Sequence, residues 1–339
     1  MKTDQFLRML LLTGATMMMI SCSKNDGSTG IKPPAAEKFK QVRSDALKDI
    51  TQTETFKSDE GIDFTSEGGV HLTINPGSMY QNGNAVTGDV TFEFIELYKR
   101  GEMLAVNKPL MGTAADGVTK GPLVTGGQFY INVTKDGAPV DASYTMAVPA
   151  ANTGQLDTNM LIWEGVENEE GNVEWNEVNC GMIDRPALLR ANIQIDGGGC
   201  PFLTYNGDIY YDVFSSHFGW TNIDILYSLP DPKTQVWVRI PAGYDNTNCA
   251  VYVVYKDKPG ALAAMDVWDT DKKMFTEHYG LAPIGFSFYA VFVSVQNDGK
   301  YIYAYKDVTV TENMIITFAT SDLKTTDKDT LISLINDLP

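Results

Sequence analysis

The sequence predicts a mainly β protein: two antiparallel β-sandwich domains in tandem, with a short N-terminal helix and a short C-terminal helix. Three observations carry that expectation. From Gln52 onward the hydrophobic pattern has a period of two, as where Val90, Phe92 and Phe94 alternate with Asp89, Thr91 and Glu93. The alternating runs are short and are punctuated by Asn82-Gly83, Asp116-Gly117 and Asp136-Gly137, dipeptides suited to tight hairpin turns. Helical periodicity is found before and after these runs but not between them, which favours sandwiches over a parallel sheet with crossover helices.

Composition sets the frame for those elements. A chain of 339 residues is long enough for about two domains and a sizeable core. With 20% charged and 11% aromatic residues it is not intrinsically disordered. The net charge of −17, without clustered Lys and Arg, argues against nucleic acid as a partner. Four cysteines are too few for a disulfide-built fold.

In chain order, Lys2 and Arg8 form a basic start, followed by an apolar stretch framed by Leu10–Leu12 and Met17–Ile20. At about a dozen residues it is shorter than the roughly 20 needed to cross a bilayer. It stops at Met19-Ile20-Ser21-Cys22, and polar Ser23–Gly30 follows. This resembles a bacterial lipoprotein signal peptide, with Met19 where a branched aliphatic residue is more usual. The resemblance implies cleavage before Cys22 and acylation of Cys22, making it the membrane anchor, since several acyl chains hold stably where one does not. Losing Lys2, Asp4 and Arg8 changes the net charge by one, so the acidity belongs to the exported part.

The expected organisation is therefore a signal peptide over 1–21, a tether and amphipathic helix over 22–50, a first sandwich over 51–186 and a second over 187–339. In the helix, Phe39, Val42, Ala46, Leu47 and Ile50 share one face of Ala35–Ile50. In the first sandwich, Phe129, Ile131 and Val133 alternate with Gln128, Tyr130 and Asn132, and Tyr144–Val148, Met160–Glu164 and Asn172–Val178 add strands. The second sandwich reads most clearly at Ala250–Tyr255, Phe286–Val295 and Tyr301–Val310, the last two joined by Asn297-Asp298-Gly299. Thr325–Leu338 closes the chain as a helix capped by Thr326 or Asp327, with Leu331, Leu334, Ile335 and Leu338 inward.

The stretch Gly68–Ser78, a glycine pair, an alternating strand and a Pro-containing turn, resembles the opening of ZU5-type β-sandwich domains. With Val86–Val90, Glu96–Leu104 and Leu123–Phe129 it is similar to a module of outer-membrane lipoproteins of the Bacteroidetes. Gly219–Asp224 and Ala282–Gly285 resemble the module that accompanies it. The resemblance implies an exported, outer-membrane protein with no assigned chemistry. Surface-displayed members carry an acidic run after the lipidated cysteine, where this chain has only Asp26.

No pattern in the sequence specifies a reaction. His71, His217 and His278 are far apart without a metal-binding spacing, and no P-loop, dinucleotide fingerprint or Gly-x-Ser-x-Gly elbow is present. Asp266, Asp269 and Asp271 lack the glycine and terminal glutamate of an EF-hand loop, so neither a metal nor a cofactor is expected. Once Cys22 is acylated, Cys180, Cys200 and Cys249 remain, an odd number. A Cys180–Cys200 disulfide would join the two sandwiches. That structural role is favoured over a nucleophilic Cys200 served by His217, because no basic neighbour lowers its pKa.

The aromatic segment 205–220 supplies the best binding candidates. Tyr205, Tyr210, Tyr211 and Trp220 make a platform for a glycan or protein partner if exposed, and core if not. The favoured expectation is a non-enzymatic, lipid-anchored envelope protein serving as a binding, structural or adhesion module. The alternative is an envelope hydrolase acting on glycan or peptide through carboxylates of the second domain. The anchor has a direct test: Cys22→Ala is expected to shift the protein from the membrane to the soluble fraction, and unchanged membrane association refutes lipidation there.

Overall fold

One 16-residue strand, Lys120–Lys135, organises the first part of the molecule. The computed structural model describes residues 30–168, 171–178, 193–194, 202–205, 207–279 and 282–339. Being about three times the usual strand length, Lys120–Lys135 serves different partners along its edges. Gly219–Leu226 pairs along one edge. Asp89–Leu97 and then Met111–Thr113 share the other. Gln52–Lys57 extends the sheet beyond Asp89–Leu97, and Leu161–Glu167 and Val173–Val178 extend it beyond Gly219–Leu226.

Val173–Val178 also runs parallel to Met111–Thr113. This closes a ring of five strands: 111–113, 120–135, 219–226, 161–167 and 173–178. Side chains fill it. Trp163 touches Gly112 and Trp175 lies edge-on to Trp220 at 6.5 Å, both contacts between strands that are not neighbours in the ring. Gly112 is required here, since a Cβ would come within 2.8 Å of the Trp163 ring. Both buried indoles keep a partner, Trp163 donating to Asp224 O at 3.0 Å and Trp175 to Pro109 O at 3.2 Å.

A second antiparallel sheet runs Ile62–Thr65, His71–Ile74, Tyr144–Pro149, Asp208–Ser215, Phe202–Tyr205 and Ile193–Gln194, neighbours in that order. Its Phe64, Leu72, Met146 and Val213 meet Phe92, Phe94, Phe129 and Ile131 of the first sheet in one core. The strand alternation then sends Ile95 and Leu97 to the opposite face, into a second core shared with the C-terminal part.

That part is itself a sandwich. Trp237–Arg239, Val267–Asp269, Met274–Thr276 and Ile315–Thr317 form one sheet. Cys249–Tyr255, Leu262–Ala264, Ser287–Val295, Tyr301–Thr309 and Lys324–Thr326 form the other. Val238, Phe275, Ile316 and Phe318 of the first share a core with Val251 and Phe292 of the second.

The mainly β class with helices at both ends matches the sequence expectation, and the division of the chain does not. Asp208–Ser215 and Gly219–Leu226, which chain order places in the second domain, pair with Tyr144–Pro149 and Lys120–Lys135 of the first. The C-terminal sandwich therefore starts after Leu226 rather than at 187. Alternation tells which way a side chain faces and not which strand lies beside it, so chain order was the only guide to membership.

Helix α1 spans Ala36–Asp49 and buries Phe39 and Ala46, and its Arg43 donates to Tyr252 Oη at 2.8 Å. The C-terminal helix, α3, spans Lys328–Asn336. Asp327 caps it by accepting from the Thr330 N–H at 2.8 Å, and Leu331 and Ile335 are fully buried.

The six-residue α2, Arg100–Ala105, was not anticipated. Its Arg100 is 2% exposed and closes the end of α3. The guanidinium donates to Ile335 O and Tyr255 O at 2.9 Å, to Asn336 O at 3.2 Å and to Leu338 O. A cation at a helix C-terminus also complements the macrodipole. Beside it, Gly101 has no room for a side chain, because a Cβ would meet Ile332 O.

Arg100→Met strands these buried carbonyls and is expected to cost about 3 kcal/mol or more of unfolding free energy. Urea denaturation measures the loss, and amide exchange in α3 should accelerate more than in Lys120–Lys135. A change under 1 kcal/mol contradicts the staple.

Candidate functional site

The aromatic candidates divide according to the pleat of their strands. Tyr211 is 1% exposed, lies in the core of the first sandwich, and its hydroxyl accepts the Asp157 N–H at 2.9 Å. Trp220 is 3% exposed; it packs on Tyr130 at 5.3 Å and donates to Glu167 Oε2 at 2.9 Å. Neither offers a ring to a glycan, so for these two the core reading holds. Tyr210, on the other face from Tyr211, is half-buried with its ring 6.1 Å from that of His71. The backbone of Tyr205 ends the strand Phe202–Tyr205.

Cys22, Cys180 and Cys200 lie outside the described residues, and with them the anchor and the proposed disulfide. Cys249 is a free thiol, buried, donating to Asp245 O at 3.1 Å. Burial pushes its pKa well up, against use as a nucleophile. Asp269 accepts from the N–H groups of Asp271 and Lys272 and from Lys272 Nζ, so it serves the hairpin turn. Among the described residues no group of three His, Cys, Asp or Glu side chains could hold a metal ion.

The site that the structure does build lies where the two sandwiches meet. Leu110 N–H donates to Leu262 O at 2.7 Å and Thr125 N–H to Gly260 O at 3.0 Å, tying the C-terminal sandwich to the first sheet. Beyond these ties a cavity of about 990 Å³ opens. One wall comes from Lys120–Pro122 and Leu226–Leu229, where Tyr227 N–H still pairs with Pro122 O at 2.8 Å. The apolar floor includes Val253, Ala263, Met265, Phe286 and Phe288. A few polar groups against an apolar lining of this size is the usual make-up of a small-molecule site.

The polar end is Thr276, Glu277, His278 and Lys120. His278 Nδ1 lies 2.8 and 2.9 Å from the two Asp266 oxygens, and its ring stands edge-on to Tyr279 at 4.5 Å. The hairpin explains the pairing: Val267 is in register with Thr276, which brings Asp266 next to the 277–278 segment. Burial disfavours a charged His278, but the hydrogen bond and charge of Asp266, with Glu174 further off, outweigh it and raise the pKa above 6.5. Among the described residues His278 Nε2 has no hydrogen-bond partner, and 28% of the side chain is open.

Glu277 is held differently. Its Oε1 accepts from the Val236 N–H at 2.5 Å, and its Oε2 is 2.8 Å from Thr276 Oγ1, which is also 2.8 Å from Val236 O. One hydroxyl has a single proton and cannot donate to both acceptors. A protonated Glu277 satisfies the set: its O–H donates to Thr276, which donates to Val236 O. The direction of its pKa agrees, raised above 4.5 by burial.

Apolar surface gathers at the mouth. Val118 is 80% exposed and Val267 44%, and both line the cavity. Ile284, 41% exposed, follows lining Pro283. Sequence reasoning missed this site because its residues come from segments more than a hundred positions apart. The readable signal was the turn at 269–273, which as a hairpin sets Asp266 beside His278. Compared with known proteins, the chain matches no family model and no curated relative.

The ion pair predicts a titration. His278 should titrate above 6.5 by NMR, and Asp266→Asn should lower that midpoint. Because the folded pKa is raised, the pair's contribution to stability is complete below pH 6.5 and lost as pH rises through the raised value. A midpoint at or below 6.5 in the unsubstituted protein refutes the pairing.

Proposed function

We propose that this chain is a lipid-anchored binding module of the cell envelope, non-enzymatic, which takes a small ligand into the cavity between its sandwiches. The observation that carries the reading is the cavity itself: apolar floor, short polar end and exposed apolar residues at the mouth. Val118 and Val267 are lining side chains left exposed, and apolar surface beside a cavity is a common feature of binding sites. The signal-like N-terminus with Cys22 at its end, and the likeness to outer-membrane lipoproteins with a ZU5-type sandwich, support the address. Tyr211 and Trp220 are covered and offer no platform for a glycan.

A hydrolase would need two carboxylates about 5–10 Å apart and free to act. The cavity lining contains Glu277, whose oxygens are engaged by Val236 and Thr276, and Asp266 behind it is engaged by His278. The arrangement suits holding a ligand better than cleaving one.

The test uses the mature protein and Nile red, a neutral apolar dye. Dye fluorescence should rise and saturate on binding. Ser228→Trp and Val267→Trp, both at lining positions that are not fully buried, should each weaken dye binding at least about tenfold, equal to about 1.4 kcal/mol, without lowering the melting temperature. Absence of saturable binding, or undiminished binding in both variants, overturns the proposal.

A further inference from the structure

We infer that the cavity's ligand is an amphipathic carboxylic acid, its apolar body against Leu226, Phe286 and Phe288 and its carboxylate between Lys120 and His278. The inference rests on the cavity being the binding site and adds the class of ligand.

Charge is the first argument. The whole chain carries −17, yet the cavity lining holds Lys120, Lys233 and His278 against one acidic residue, Glu277. Glu277 is turned to the protein, both oxygens occupied by Val236 and Thr276. His278 is matched by Asp266, and the charge of Glu174 also acts on it, while the two lysines are less fully matched. Lys233 is 4.0 Å from Asp231, whose carboxylate is exposed, and Lys120 makes no ion pair among the described residues. Lys120 Nζ sits over the Tyr279 ring at 5.6 Å, and its charge opposes that of His278, so the two cations are near one another.

Donor and acceptor capacity is the second argument. Asp266 occupies Nδ1 of His278 and leaves Nε2 to the open side. An imidazolium Nε2–H and a lysine ammonium are both donors, and neither accepts a hydrogen bond when charged. An anionic acceptor is the group that satisfies both, and charge-assisted bonds are the stronger kind. A cationic head would be repelled, and a sugar would bring hydroxyl donors to an end whose carboxyl oxygens are already in use. Leu226, Val253, Met265, Phe286 and Phe288 give the lining an apolar stretch for the body behind the head.

The experiment compares 11-(dansylamino)undecanoic acid with its methyl ester by dansyl fluorescence on the mature protein. The two share a body and differ in the charge of the head. The acid should bind at least about tenfold more tightly than the ester, and Lys120→Met should reduce that advantage about tenfold, each equal to about 1.4 kcal/mol. Equal affinities for acid and ester, or a preference that survives both Lys120→Met and His278→Gln, overturn the assignment. If Nile red nevertheless binds and the Trp variants block it, the cavity stands as a site and only the ligand class is wrong. If Nile red fails as well, both fall together.

Discussion

The structure depends on a sheet buried on both faces. Along Lys120–Lys135, Phe129, Ile131 and Val133 enter one core while Leu123 enters the other. Asp89–Leu97 does the same with Phe92 and Phe94 against Ile95 and Leu97. A one-residue slip would exchange the two sets, so each core fixes the register that the other needs. The polar residues caught in this layer satisfy one another only in part: both amide atoms of Gln128 and Oδ1 of Asp224 are buried without a hydrogen-bond partner among the described residues. Thr125, Gln128, Asn222 and Asp224 are all buried at the bulge between Ile223 and Asp224. Thr125 Oγ1 donates to Asn222 Oδ1 at 2.9 Å, and Asn222 Nδ2 donates to Asp224 Oδ2 at 2.5 Å. Burial raises the Asp224 carboxyl well above its usual range, in keeping with a neutral group.

Everything C-terminal to Leu226 is built onto the outer face of that sheet. The five-stranded ring gives a rigid surface because its interior is filled by Trp163 and Trp175 rather than left open. Arg100, on a one-and-a-half-turn helix just after the sheet strand 89–97, reaches across to the last helix and holds the chain's end to the second sandwich. The cavity is what remains where two curved β surfaces are hydrogen-bonded at Leu110–Leu262 and Thr125–Gly260 and diverge beyond them. Thr276, Glu277 and His278 come from the C-terminal sandwich and Lys120 from the long strand of the first. Neither sandwich contains the site alone.

Legibility in the sequence followed range. The period-two runs at 90–94, 129–133 and 250–255 became strands, and the turns Asn82-Gly83 and Asp136-Gly137 took the positive φ angles that two-residue hairpins require. The terminal helix formed with Asp327, one of the two capping candidates, as its cap, while Thr325 and Thr326 belong to the strand Lys324–Thr326 instead of the helix. Helix α2 escaped notice because six residues are too few to show a helical period, and its reason for existing, Arg100 meeting carbonyls 235 to 238 positions away, is tertiary. The aromatic segment admitted two readings, platform or core, for a related reason. Adjacent Tyr210 and Tyr211 face opposite ways, and only the placement of a second sheet decides which side is wet.

By itself, then, the sequence determined the secondary-structure class, the hairpin turns, the two end helices and the acidic character of the chain. These follow from side-chain periodicity, glycine and asparagine at turns, and charge, all of which act over a few residues. The tertiary structure decided which strands share a sandwich, that Tyr211 and Trp220 are core, and that Asp266, His278 and Lys120 meet at one end of a cavity. Those outcomes depend on which surfaces bury one another. Burial is a property of neighbours far along the chain, and no local pattern records who they are.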